Sequence, residues 1–97
     1  MPKVNKSARG KHRWIGFQLD IRYNSRDKCE LFFSKILDNI SWKLFDFKIV
    51  DGVCNGILKV SLESYMDAKN IINEQDKSET ITSSGKIKLV RERMGLK

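Results

Sequence analysis

Histidine occurs once in this 97-residue sequence, cysteine twice, and no apolar run approaches the length of a membrane span. Each shortage removes a class of function. A membrane-crossing helix needs roughly 20 apolar residues, and the basic opening "MPKVNKSARGKHR" leads into alternating polar residues instead of an apolar signal core. The expectation is a cytosolic (cytoplasmic) protein with no membrane partner. Cys29 and Cys54 stand apart from each other and from any further cysteine or histidine ligands, which argues against zinc and supplies no disulfide framework. Both suit reduced packing positions. His12, alone in a basic leader, is expected to contact phosphate or solvent, not to transfer protons. Cys29 falls on an apolar helical stripe without a base beside it, and Asp46 and Asp51 lack a partner carboxylate at a spacing that would hold magnesium. The expected catalytic, metal and protein-bound cofactor sets are therefore empty.

The length also sets a limit. A chain of this size buries roughly 60–65% of the surface it exposes when unfolded, enough for one two-layer core. Repeats, low-complexity tracts and Gly/Ser linkers are missing, so one compact domain is expected.

Positive charge is what the chain has in plenty, and it is unevenly placed. Residues 1–13 carry Lys3, Lys6, Arg9, Lys11 and Arg13 without an acid, a net of +5. Residues 86–97 hold five cations against Glu92, a net of +4, while residues 14–85 come to −2. Solubility does not require cations gathered at both ends of an acidic body, whereas gripping a polyanion does. Nucleic acid is the leading partner by charge alone.

Alternation identifies the strands. In "RWIGFQLDIR", Ile15, Phe17, Leu19 and Ile21 point one way, the period-two pattern of a half-buried strand. "LFDFKIV" places Phe45, Phe47 and Ile49 on one face, and "GILKVSL" does the same with Leu58, Val60 and Leu62. These two form a hairpin, with Asp51-Gly52 and Asn55-Gly56 both acceptable as turn dipeptides. A first helix is expected from Arg26 to Ser41, capped by Ser25, with Cys29, Phe32, Phe33, Ile36, Leu37 and Ile40 as its inward stripe. Ser64 and Asp67 suggest a capping box for a second helix carrying Tyr65, Ala68, Ile71 and Ile72 inward. "SETITSS" is a short fourth strand. A basic helix over 85–95 closes the chain, with Ser84 as N-cap, Gly95 as stop, and Ile87, Val90 and Met94 docking it.

The order β-α-β-β-α-β, followed by this helix, predicts an α+β, ferredoxin-like (split β-α-β) four-stranded antiparallel sheet with both main helices on one face. The expected division is a basic N-terminal extension over 1–13 and one domain over 14–97. The other sheet face carries Trp14, Gln18, Asp20, Leu44, Lys48, Ile57 and Lys59, too apolar to be simply wet and too poor in aromatics to stack bases. Trp14, Leu44 and Ile57 are accordingly expected to meet protein. An RNA-recognition motif would stack bases on strand-three aromatics, and "NGILKVSL" has none, so sheet-face stacking is not expected. An acylphosphatase-like enzyme on the same fold would need an arginine phosphate loop after the first strand, of which "RYNSR" is only a faint echo. The free amides that open the last helix, at Ser83, Ser84 and Gly85, suit a phosphate.

Three strings, taken in order, resemble the ribonuclease P protein component 2 family. The leader running into "KHRWIGFQL" resembles its Lys/Arg-aromatic-Ile start to strand one, and "NGILKVSLESYMDAKNII" its Gly-started third strand and following helix. "SSGKIKLVRERM" resembles its Ser-Gly-x-Ile-Lys segment leading into a basic terminal helix. The resemblance implies a non-catalytic protein subunit of the ribozyme endoribonuclease that removes the 5′ leader of precursor tRNA. It implies ribonuclease P RNA, a TIM-barrel-like protein subunit and other ribonuclease P proteins as partners, self-association into a two-plus-two assembly, and magnesium held by the RNA. On this reading Lys11, Arg13, Ser84, Gly85, Lys86, Lys88, Arg91 and Arg93 contact RNA. The alternative is a ferredoxin-like protein-interaction or regulatory module without RNA.

Overall fold

The computed structural model describes residues 11–96. Four strands, β1 (His12–Leu19), β2 (Trp42–Val50), β3 (Val53–Ser61) and β4 (Ser78–Ser84), form one antiparallel sheet in the order β2-β3-β1-β4. Helices α1 (Arg26–Ile36), α2 (Tyr65–Glu74) and α3 (Ile87–Met94) complete an α+β chain, with short 3-10 turns at Ile21–Tyr23 and Leu62–Ser64. No described helix is long and apolar enough to cross a membrane. β1 begins at His12, so His12 and Arg13 belong to the sheet and not to an extension; Lys3, Lys6 and Arg9 lie outside the described residues.

Alternation places the core. Ile15, Phe17 and Leu19 of β1 and Leu58 and Val60 of β3 are buried with Cys29 and Phe33 of α1 and Ala68 and Ile72 of α2. Phe17 and Phe33 meet edge to face at 4.8 Å, an arrangement that suits the ring quadrupoles. Two expected members leave this face. Ile21 and Leu62 sit in the 3-10 turns at the strand ends and are exposed, because alternation stops where the extended backbone does.

Helix α1 starts as expected, with the Ser25 hydroxyl accepting the Lys28 amide at 3.2 Å. It ends at Ile36, five residues short of the expected Ser41. Asp38 and Asn39 are weak helix formers, and the chain leaves the helix at Leu37 through a turn that still keeps Leu37 buried and Ile40 against the core. At α2 the capping box does not form: Ser64 makes no side-chain cap, and the Ser61 hydroxyl instead accepts the Ser64 amide at 3.3 Å.

The hairpin turn is the two-residue Asp51-Gly52, with both residues at positive φ (53° and 76°) and Val50 paired with Val53. That backbone matches the right-handed twist of the flanking strands. Asn55-Gly56, the other candidate, lies inside β3. A Cβ at Gly56 would stand 2.5 Å from the Phe17 ring and 2.6 Å from the Asp46 carbonyl oxygen, so the glycine permits the close approach of β1 and β2 to β3.

The largest departure from simple alternation is in β2. Trp42 and Leu44 face the core, then the pairing with β3 skips Phe45, and Phe47 faces the core again. Phe45 is the extra residue of a β-bulge and its side chain turns to the other face. The carbonyls of Leu44 and Phe45 are held by the Arg26 guanidinium at 2.7 and 3.3 Å. Leu44, expected as a surface residue for protein, is therefore core at 4% exposure.

Both cysteines are free thiols within this layer. Cys54 donates to the Tyr23 carbonyl at 3.2 Å, and burial, aided by the Asp20 carboxylate, raises its pKa. Burial, with Cys54 nearby, pushes the Cys29 thiol up to about 12. An unfolded thiol ionises near 9, so as pH rises above 9 the unfolded chain loses this proton first and the fold weakens until about 12. At pH 8, Cys29 is expected to resist a disulfide exchange reagent in the native protein and to react within minutes once denatured, as read by thiol titration.

Candidate nucleic-acid interface

β1 runs antiparallel to β4, which sets Trp14 opposite Ser84 and brings the start of β1 beside the start of α3. The described end of the first basic segment, residues 11–13, therefore lies at the same end of the sheet as the start of α3. Arg13, on the helix-covered face, lies over the Tyr65 ring at 5.5 Å, and its Nη1 is 3.9 Å from where a side chain on Gly85 would begin. Its Nε is buried and makes no hydrogen bond among the described residues. Tyr65 is fixed in turn by a 2.6 Å hydrogen bond with Ser83.

Helix α3 folds back over the sheet face opposite α1 and α2. Its Val90 is fully buried, and Val90 and Met94 lie against Gly16, where an added Cβ would stand 3.0 Å from Val90 and 2.8 Å from the Met94 sulfur. Ile57, paired with Gly16 and Asp46 on this face, is 0% exposed. It offers no surface to a partner, contrary to expectation. Gly95 ends the helix in the left-handed conformation, at φ 70°. At the other end Lys86 occupies the N-cap position without a side-chain cap, and the Ser84 hydroxyl accepts its amide at 3.2 Å.

The expected RNA-contacting residues separate into two sets. Arg91 donates through Nε and Nη2 to the Asp46 carboxylate at 2.7 and 3.1 Å, a bidentate pair that raises the arginine pKa through hydrogen bonding and charge. Arg93 Nη1 donates to the Thr82 hydroxyl and the Ser83 carbonyl, both at 3.1 Å. These two arginines clamp α3 to β2 and β4. Both guanidinium groups thus have partners within the protein, and both keep part of their surface exposed. Lys11, Lys86 and Lys88 are exposed and form no ion pair or side-chain hydrogen bond among the described residues.

Phe45 and Lys43, which alternation did not place on this face, join Trp14 and Lys59 there and complete the surface. On the α3 side of the sheet, Trp14 and Phe45 meet edge to face at 4.8 Å. Lys59 stands 5.6 Å from the Trp14 ring and 6.0 Å from the Phe45 ring, and Lys43 stands 5.4 Å from Phe45. Trp14, Lys59 and Lys43 lie side by side across β1, β3 and β2. Phe45 also borders a cleft of about 630 Å³ between α3 and β2, where Lys48 and Lys88 line the walls. The face expected to be poor in aromatics thus holds an aromatic pair among lysines, because of the bulge.

No protein-family model matches the chain, and neither a curated protein nor a solved structure is detectably similar to it.

Proposed function

We propose that this protein is an RNA-binding, non-catalytic subunit of a ribonuclease P-type ribonucleoprotein, supporting a catalytic RNA in the removal of 5′ leaders from precursor tRNA. The observation that supports this most is that strand pairing brings Lys11 and Arg13, the described cations of the first basic segment, to the end of the sheet where α3 starts, with Arg13 beside Gly85. Charges scattered to opposite poles could not focus on one stretch of polyanion; charges brought together by strand pairing can. The strand order β2-β3-β1-β4, with a helix after β1 and another after β3, supports a ferredoxin-like reading of the sheet, the fold that the resemblance implies.

In this reading Lys11, Lys86 and Lys88 meet phosphates directly, and Arg13, Ser84 and Gly85 shape the place where they do so. Magnesium belongs to the RNA, and precursor tRNA is a substrate of the whole particle. A TIM-barrel-like protein subunit and a second copy of this chain are its proposed protein partners. A reading without RNA, as a protein-interaction module, draws on Leu31 and Met66, which stand 63% and 56% exposed on α1 and α2.

Affinity capture of the native protein, followed by sequencing of the bound RNA, tests the two readings. The expected result is one RNA of several hundred nucleotides that accompanies the protein and whose digestion by nuclease releases protein partners. Partners that stay bound after digestion, with no such RNA recovered, would reject the ribonucleoprotein.

A further inference from the structure

The Trp14–Phe45 pair takes no part in the core, and the phosphate contacts assigned above do not use it. Two hydrophobic rings left half-buried on a sheet face need a reason, and their surroundings are chemically selective. The groups arrayed about them are Lys43, Lys59, Lys48 and Lys88. The nearest carboxylate on β2, Asp46, is already paired with Arg91, and in the cleft Glu92 is outnumbered by Lys48 and Lys88. An occupant of this place must offer a flat apolar surface and negative charge at short spacing. An unpaired nucleotide with its flanking phosphodiesters has both.

We infer that the part of this sheet face left open beside α3 is a binding site for single-stranded RNA: a base stacks on one ring of the edge-to-face Trp14–Phe45 pair, its flanking phosphates are held by Lys43 and Lys59, and the strand continues into the cleft toward Lys88. The inference rests on the RNA-binding reading and names the kind of RNA element engaged. The lysines now near the rings are not an obstacle. An exposed ammonium over an aromatic ring is held more weakly than a stacked base, so each lysine can turn to a phosphate as the base takes the ring. A paired helix does not fit this demand, since its bases are stacked within the duplex and only its backbone is presented. The bulge makes the site possible: without the extra residue, β2 would present no aromatic here.

The test uses the full chain carrying Trp42→Phe, so that Trp14 is the only tryptophan, and titrates it with a uridine decamer and with a duplex RNA of equal length. The decamer is expected to quench Trp14 emission and the duplex to leave it unchanged. Phe45→Leu, which keeps bulk but removes the ring, and the pair Lys43→Gln with Lys59→Gln are each expected to weaken decamer binding by about tenfold. Photocrosslinking of a 5-bromouridine decamer to the unaltered chain, mapped by mass spectrometry, gives a second measurement independent of these variants. It is expected to mark Trp14 or Phe45. Equal quenching by the duplex, equal quenching by polyglutamate, or unchanged decamer affinity in Phe45→Leu overturns the site. Quenching that persists when no large RNA copurifies from cells sinks the ribonucleoprotein and leaves this site standing. A copurifying RNA with no quenching and no crosslink does the opposite.

Discussion

Replacing Gly56 with alanine is expected to cost about 3 kcal/mol, the upper end of what overpacking a tight core costs, since the atoms it would meet cannot yield. The added methyl carbon would stand 2.6 Å from the Asp46 carbonyl oxygen, a backbone atom of the neighbouring strand, and 2.5 Å from the Phe17 ring, which is wholly buried. Neither can retreat: the carbonyl belongs to the β2 backbone just past the bulge, and Phe17 is pressed on Phe33. For a domain of this size the melting temperature should fall by about 12–24 °C, measurable by circular dichroism. Gly16→Ala provides the comparison. Its methyl would meet the Met94 side chain at 2.8 Å and Val90 at 3.0 Å, and a flexible methionine on a terminal helix can swing away. The loss there should be less than half as large, and equal losses would show that helix α3 is no more yielding than the sheet.

The second large effect concerns RNA. Changing Lys11, Lys86 and Lys88 together to glutamine should flatten the slope of log K against log salt by about 2 to 3, at roughly 0.7–0.9 for each phosphate no longer neutralised. Between 50 and 200 mM salt the wild-type protein should then lose about 16- to 64-fold more affinity than the variant. Stability should be unchanged, because these side chains are exposed and hold nothing in the fold. Arg91→Gln and Arg93→Gln make the informative contrast. Both should loosen α3, seen as faster amide exchange in residues 87–94, because they break the hydrogen bonds to Asp46 and to Thr82 and Ser83. A salt slope that moves as much with the arginines as with the lysines, at unchanged exchange, would mean that the division between anchoring and RNA-facing cations is wrong.

Much of this architecture was legible because period-two and period-three-to-four patterns are strong where one face is buried. Ile15-Phe17-Leu19, Leu58-Val60 and Ala68-Ile72 follow them without exception. The terminal helix was legible too, through Val90 and Met94 at docking positions and Gly95 as its stop. β2 was misread for a definite reason. In "WKLFDF" the apolar residues stand at 42, 44, 45 and 47, and no single alternation turns Trp42, Leu44 and Phe47 to the same side. That conflict was itself the sign of an inserted residue. Ile57 was misplaced on an open face because periodicity shows which side of a strand a residue takes, but not what covers that side. For the same reason the anchoring contacts of Arg91 and Arg93 are invisible in the sequence: their partners, Asp46 and Thr82, are 45 and 11 residues away and become neighbours only on folding.

The bulge in β2 carries a consequence for how this surface can be altered. Deleting the single residue Phe45 leaves Trp42, Leu44 and Phe47 in strict alternation, so the interior would keep its complement of side chains while the outer face kept Trp14 and lost the ring that β2 supplies. Only the Arg26 grip on two irregular carbonyls would need a new partner. The aromatic on the outer surface is thus a detachable graft on the strand, open to gain or loss by insertion or deletion of one codon without rewriting the core beneath it.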